Sequence, residues 1–457
     1  MFQKLEKVML PLAEKIAQNK YLLSIRNGFL VSTPLLIAGS FFLLIANFPI
    51  PAWADFLSTT IVNHNTGETL EQLISKPADA TFTIMAIFAV VGIGYNFAKE
   101  LKTNAIFGAG VSVMSWFLLM PYRVTGNINV DGLSDPVSAQ LTGISLGWIG
   151  AKGIFVGILC AFISVHLYNF ASKKGWVIKM PTGVPQMVED SFAALIPAAF
   201  VMMIFFAINL GLAFAGTNAF DLIFTFLQTP LLRLGNTMGA TVIAYIFLHI
   251  FWFFGVNGSS VVGAVFNPIL LTLSLQNVDY FKNGVGSPNI INAQFQDLFA
   301  TFGGAGSTLS LIVAMLFFCR SKRVKELGKL SLIPGIFGIN EPIIFGLPVV
   351  LNPLILIPFV LVPTFNIVVS YTVMKLGMVP ITNGILIPWT TPIVISGFLS
   401  TNWAGAVLQL FLLVSGVFMY MPFIKIMDNQ YLREEKQAEE DKAFDDITEE
   451  MLSFDDL

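Results

Sequence analysis

The sequence predicts an all-α polytopic membrane protein, and three observations carry that prediction. First, 55% of its 457 residues are hydrophobic and only 12% are charged, with a mean hydropathy of +0.76. Soluble domains are about 45–50% apolar and about 25% charged, so a water-soluble enzyme, a nucleic-acid binder and a disordered chain are excluded. Second, no Asp, Glu, Lys or Arg occurs in 27–54, 80–98, 103–122, 153–172, 191–220, 234–278, 298–319, 342–374 or 376–424. One crossing of the hydrocarbon core needs about 20 apolar residues. Third, 19 of the 25 basic residues fall in five clusters: Lys4–Arg26, Lys99–Lys102, Lys173–Lys179, Arg320–Lys329 and Lys425–Lys442. Positive charge favours the cytoplasmic side. Ten transmembrane helices place all five clusters, and both termini, inside.

The expected spans are about 28–47, 80–98, 103–122, 150–170, 191–215, 237–256, 258–275, 298–318, 350–373 and 403–424. Two apolar segments remain, 331–349 and 376–400. Each must enter and leave on one side, as a re-entrant hairpin buried by protein, because irregular backbone is not tolerated against lipid. Alternating segments of about ten residues, the mark of a membrane β-barrel, are missing. Residues 1–24 carry charges throughout and lack an apolar signal-peptide core. Phe2, Leu5, Val8, Met9, Leu12 and Ile16 follow helical spacing, which predicts a helix on the inner membrane surface. The tail 428–457 holds twelve acids and three bases and reads as a solvated, partly helical or disordered cytoplasmic extension.

No cofactor and no metal is expected. Cys160 and Cys319 lack CxxC neighbours, and His64, His166 and His249 are scattered. The chain also lacks a phosphate-binding loop, a dinucleotide fingerprint and a zinc-protease motif.

Polar and helix-breaking residues concentrate in the two leftover segments. The first holds Pro334, Gly335, Gly338, Asn340, Glu341, Pro342, Gly346 and Pro348. These cannot share one regular helix. Glu341 precedes 33 charge-free residues, and an acid at that depth is a functional candidate; a structural acid bonded to free helix-end amides is the plainer reading. The second segment holds Gly377, Pro380, Asn383, Gly384, Pro388, Trp389, Thr390, Thr391 and Pro392. Paired broken segments mark substrate sites in transporters. Trp389 suits stacking on a sugar ring, with Thr390 bonding its rim; an interfacial or packing Trp is the alternative. His249 is the sole His, Asp, Glu, Lys or Arg in 234–278, near Asn257; it is either a packing residue or a partner for a hydroxyl. The run Gly303–Thr308 reads first as close helix packing and second as site lining. From these residues alone a proton-coupled solute carrier, with Glu341 as its proton site, remains open.

The stretch Gly338-Ile-Asn-Glu-Pro-Ile-Ile-Phe-Gly-Leu-Pro348 resembles the signature of the membrane-embedded enzyme IIC subunits of the phosphoenolpyruvate-dependent sugar phosphotransferase system, lactose/cellobiose/N,N′-diacetylchitobiose family. The start is similar to the same branch, in Lys15-Ile-Ala-Gln-Asn-Lys-Tyr-Leu-Leu-Ser-Ile-Arg-Asn-Gly-Phe-Leu30 and in Pro34-Leu-Leu-Ile-Ala-Gly-Ser-Phe-Phe42. The resemblance implies a homodimer of ten-helix protomers with two re-entrant hairpins, in the bacterial cell membrane. It implies an N-terminal half, 1–215, making the dimer contact. It implies a C-terminal half, 216–427, holding the sugar, followed by the tail 428–457. The imported substrate is then a β-linked disaccharide such as cellobiose or diacetylchitobiose, phosphorylated at the cytoplasmic face. The phosphate comes from a cysteine of phosphorylated IIB, charged in turn by IIA, and the acidic tail without cysteine makes a separate IIB the expectation. Glu341 and His249 are implied near the accepting hydroxyl, Asn340 beside the glutamate, and Trp389 stacked on the sugar; Asn257 joins the binding candidates. The alternatives are a proton-coupled secondary sugar transporter and a sugar-sensing receptor using its acidic tail.

Overall fold

The computed structural model describes residues 15, 18–46, 48, 51–128, 137–181, 183–347, 349 and 352–454. The expected surface helix at 1–24 lies mostly outside them, as does Pro348 of the first broken segment.

In chain order the helices are α1 (Lys20–Ala46), α2 (Pro51–Thr59), α3 (Leu70–Ala78), α4 (Met85–Glu100), α5 (Ala105–Leu119), α6 (Leu146–Ile149), α7 (Ile154–Lys173) and α8 (Gln186–Phe214). The second half has α9 (Ala219–Ile223), α10 (Thr229–Gly235), α11 (Met238–Phe253), α12 (Gly258–Lys282), α13 (Ala293–Phe295) and α14 (Thr308–Phe318). It ends with α15 (Lys322–Ile336), α16 (Glu341–Gly346), α17 (Pro353–Lys375), α18 (Ile395–Ser400) and α19 (Trp403–Phe454).

Among the described residues, eight helices are long and apolar enough to cross a membrane. A pair bent by 76°, Ala219–Gly235 with Met238–Phe253, makes up to nine, and Ala105–Leu119 is a shorter apolar helix. The spans expected at 103–122 and 237–256 fall on that shorter helix and on the second arm of the bent pair.

The all-α expectation needs one correction. Two antiparallel hairpins occur, β1 (Ile61–Asn63) with β2 (Glu68–Thr69), and β3 (Arg123–Ile128) with β4 (Val137–Thr142). Both lie in charged stretches between the apolar runs. There the chain is free of the single-span constraint, and short β-branched segments pair locally.

The N-terminal half packs α1 on α4, α4 on α5, and α7 against both. The α1–α4 contact is a backbone approach: a Cβ at Gly92 would strike the Gly28 carbonyl. In the second half α14 packs on α15 and α19, and α11 on α17. The halves meet where α12 lies on α1, and Lys282 Nζ pairs with Asp79 Oδ1 at 2.6 Å near that seam.

The expected solvated tail is also corrected at its start. The last span continues without a break as α19 to Phe454. Asp428 is only 3% exposed, and its carboxylate accepts from the Arg320 and Ser321 amides at 2.8–3.0 Å. Glu435 accepts from Ser321 Oγ at 2.7 Å and from the Arg323 amide at 3.0 Å. Arg323 stacks on Tyr431 at 4.6 Å. These acids serve as caps for the free amides that open α15. Their sequence position, inside an acidic run, hid that role.

Candidate functional site

Neither leftover segment is one continuous helix: the first begins within the last turns of α15, and the second is largely non-helical. The helix α15 ends in a left-handed turn: Gly338 has φ +81°, its amide donates to the Gly335 carbonyl, and Ile339 donates to Pro334. The chain then reverses into α16, whose Gly346 faces Leu327 of α15. Glu341 and Pro342 therefore stand at the opening of a short helix, inside the reversal. A Cβ on Gly338 would strike the Trp389 ring, so glycine is needed there for space as well as for φ.

The second segment runs without helix from Val379 to Pro388 and is held by amide side chains. Asn292 Nδ2 donates to Thr382 Oγ1 at 2.7 Å, and the Ile387 amide donates to Gln294 Oε1 at 3.0 Å. From α19, buried Gln409 accepts from the amides of Val394 (2.7 Å) and Gly397 (2.9 Å) and donates to the Leu298 carbonyl at 2.8 Å. Val394 has φ +74°, a strained setting for a β-branched residue that these bonds hold in place. Between the Gln294 and Gln409 anchors stands Trp389, 53% exposed.

The run Gly303–Thr308 is not a packing face, which corrects the first reading. Gly303, Gly304, Gly306 and Ser307 all have positive φ, so the segment is a loop. Four buried side chains fix it. The Gly306 amide donates to His249 Nε2 at 2.9 Å, and Tyr420 Oη donates to the Gly306 carbonyl at 2.6 Å. Asn340 Nδ2 donates to the Ala305 carbonyl at 2.9 Å, and Asn366 Nδ2 to Ser307 Oγ at 3.0 Å. Gly304 and Ala305 line the site, as the second reading expected.

These pieces enclose a cavity of about 270 Å³. Among the site candidates, Asn257, Asn340, Glu341 and Trp389 line it. Thr390 and His249 do not. His249 is fully buried behind the glycine loop with both ring nitrogens engaged, Nε2 by Gly306 and Nδ1 by the Tyr245 carbonyl at 2.6 Å. Because the Gly306 amide must donate, Nε2 is the acceptor and the proton sits on Nδ1. The imidazole thus shapes the wall and does not face the cavity.

The acid expected at membrane depth is neither buried nor alone. Glu341 is exposed on the cavity wall, not buried. Asp297 also lines the cavity, set there by a π-helical turn, Gln296–Ala300, and meets Gln296 Nε2 at 3.4 Å. In sequence Asp297 looked like an ordinary charge flanking a span; the amide-rich stretch Asn289, Asn292, Gln294, Gln296 before it was the available signal. The remaining lining includes Trp252, Ser259, Asn267, Gln296 and Thr301. Flat aromatic faces, planar amides, hydroxyls and carboxylates together suit a neutral polyhydroxylated ligand.

Comparison with known proteins agrees with this chemistry. The family described as Phosphotransferase system, EIIC matches residues 26–363. The chain is 38% identical to the PTS system oligo-beta-mannoside-specific EIIC component of Bacillus subtilis (strain 168), over 96% of each chain. It is 38% identical to the PTS system cellobiose-specific EIIC component of Geobacillus stearothermophilus, over 94% of this chain and 95% of that one. The crystal structure of the transporter ChbC, the IIC component from the N,N′-diacetylchitobiose-specific phosphotransferase system, superposes with a TM-score of 0.88 at 40% identity, covering 94% of this chain and 99% of that chain. A multi-pass helical fold, the Gly338–Glu341 reversal and matches along nearly the whole length lead to one conclusion: the chain belongs to the EIIC family of the phosphotransferase system.

Proposed function

We propose that the protein is the sugar-specific IIC permease of a phosphoenolpyruvate-dependent phosphotransferase system and that it imports a β-linked disaccharide. Relatives named for oligo-β-mannosides, cellobiose and N,N′-diacetylchitobiose support that substrate class. The observation that carries the reading is the cavity in which Trp389 and Glu341 share a wall beside Gly338.

In this reading one sugar ring stacks on Trp389, and Asn257 and Asn340 bond its rim. A free hydroxyl faces Glu341. The partner is phosphorylated IIB at the cytoplasmic face. The hydroxyl oxygen attacks phosphorus, the sulfur–phosphorus bond of the IIB phosphocysteine breaks, and the hydroxyl proton passes to the Glu341 carboxylate. The thiolate leaves with IIB. His249 acts through the Gly303–Ser307 loop as a positioning residue. The assembly has ten crossings, two re-entrant hairpins formed by 331–349 and 376–400, cytoplasmic termini, and a second copy bound through the N-terminal half.

The test is Glu341→Gln in proteoliposomes supplied with phospho-IIB. Disaccharide binding should persist while sugar-phosphate formation falls by at least about 100-fold, in the range of a lost general base. Near-normal turnover would remove Glu341 from the reaction. Uptake that collapses with an uncoupler and delivers unmodified sugar would replace the whole reading with the proton-coupled one.

A further inference from the structure

The sugar cavity has lining residues in common with two others. One of about 390 Å³ shares Asp297, Gln296 and Trp389 with it, and one of about 130 Å³ shares Asn257. Both reach across the seam to the N-terminal half, and Arg26 of α1 lines both. Positive-inside placement accounts for a cation near this helix end. It does not account for one that lines two cavities bordering the sugar cavity.

The charges on these walls are unevenly distributed. Asp297 and Glu341 supply two carboxylates from the C-terminal half. Arg26 is the one Lys or Arg lining any of these three cavities among the described residues. Its guanidinium meets Asn27 Oδ1 at 3.2 Å, a neutral partner from the next residue, and no carboxylate pairs with it among the described residues. A neutral sugar needs no such cation. A phosphoryl group does, because two carboxylates repel it and its equatorial oxygens carry charge during transfer. Guanidinium offers a planar fork that matches phosphate oxygens.

We propose that Arg26 is a phosphate-binding residue. From the N-terminal half it lines the two cavities that adjoin the sugar cavity, and it holds there the phosphoryl group of the sugar ester. The two halves then share the site: one recognises the sugar, the other recognises the charge that marks it as product. The proposal rests on the IIC reading above.

The experiment compares wild type, Arg26→Gln and Arg26→Lys in detergent by calorimetry. The probes are the disaccharide that wild type binds in a panel, the phosphate ester that wild type and phospho-IIB make from it, and inorganic phosphate as competitor. Expected for Arg26→Gln is unchanged affinity for the free disaccharide, which also certifies folding, and loss of about 10- to 100-fold for the ester, the range for a charge-assisted contact. Arg26→Lys should fall between, and inorganic phosphate should compete for the ester on wild type alone. Equal ester affinity in wild type and Arg26→Gln overturns the proposal. So does a parallel loss for sugar and ester, which would make Arg26 a latch on Asp297 or Glu341. If Arg26→Gln does not fold, Arg26→Lys with full ester affinity and no phosphate competition on wild type overturns it too. Wild type that forms no ester with phospho-IIB sinks the IIC reading instead, a distinct result.

Discussion

Replacing His249 by Phe tests whether the imidazole works through the loop or on the substrate. The substitution keeps an aromatic ring of similar size against Phe359, whose ring meets the imidazole edge-on at 5.0 Å and 83°. What it removes is the acceptor at 2.9 Å from the Gly306 amide, in a fully buried setting, together with the Nδ1–H donor to the Tyr245 carbonyl, which keeps its place within α11. An orphaned buried donor costs about 1–3 kcal/mol. If all of it is expressed as displacement of the loop, turnover falls by roughly 5- to 150-fold, at about 1.4 kcal/mol per factor of ten. The assay is sugar-phosphate formation with phospho-IIB in proteoliposomes across the pH range, beside disaccharide affinity. The expected result is lower turnover and weaker sugar binding with an unchanged shape of the pH–rate profile. His249→Gln, which retains an acceptor, should recover part of the loss. Disappearance of one limb of the pH profile in His249→Phe would refute the positioning role and make the imidazole a proton carrier.

Three further outcomes follow from the same geometry. Trp389→Ala should weaken disaccharide binding by about 10- to 150-fold, the range for losing about 1.5–3 kcal/mol of aromatic burial; an unchanged Kd in calorimetry would leave Trp389 as packing for Gly338. Gln409→Leu strips partners from the Val394 and Gly397 amides and the Leu298 carbonyl. It should lower unfolding stability in mixed micelles by about 2–5 kcal/mol and loosen sugar binding with it; wild-type stability would show that the Val394 turn holds itself. On the part of α19 beyond the expected span 403–424, backbone and hydroxyl donors at Arg323 and Ser321 hold the Glu435 carboxyl below its ordinary value. A depressed folded value means that its contribution is present above the unfolded value of 4.5 and is lost as pH falls through the lower, folded one. Stability should therefore decline in that acid window, and Glu435→Gln should flatten the decline; identical pH curves would remove Glu435 from the cap.

Much of the fold was legible because hydrocarbon imposes a length on every charge-free run. The two broken segments were legible for a related reason: Pro380 and Pro388 lie in a stretch with no helix, Pro342 restarts the chain as a new short helix, and Pro334 is followed within two residues by the end of α15. Sequence did not reveal which way a side chain faces. His249 and Trp389 looked equally functional, yet one is sealed behind a glycine loop and the other stands in the cavity. Asp297 was missed because a π-helical turn rotates it inward, a local register that spacing does not encode. Gln409 passed as an incidental polar residue in an apolar span, although a lone amide there has to find backbone partners. Asp428 and Glu435 were hidden by their acidic neighbours, since charge counting cannot separate a cap from a solvated face.

The helix α19 touches each part of this arrangement in turn. Gln409 steadies the loop bearing Trp389, Tyr420 steadies Gly306, and Asp428 and Glu435 steady the start of α15, whose far end leads into the reversal that bears Glu341. A single continuous rod thus serves as the chassis on which otherwise separate walls are mounted. The Trp389 loop, the glycine loop and the start of α15 are thereby tied to one helix, and a load placed on its C-terminal end reaches the pocket through Pro422, the proline inside that helix.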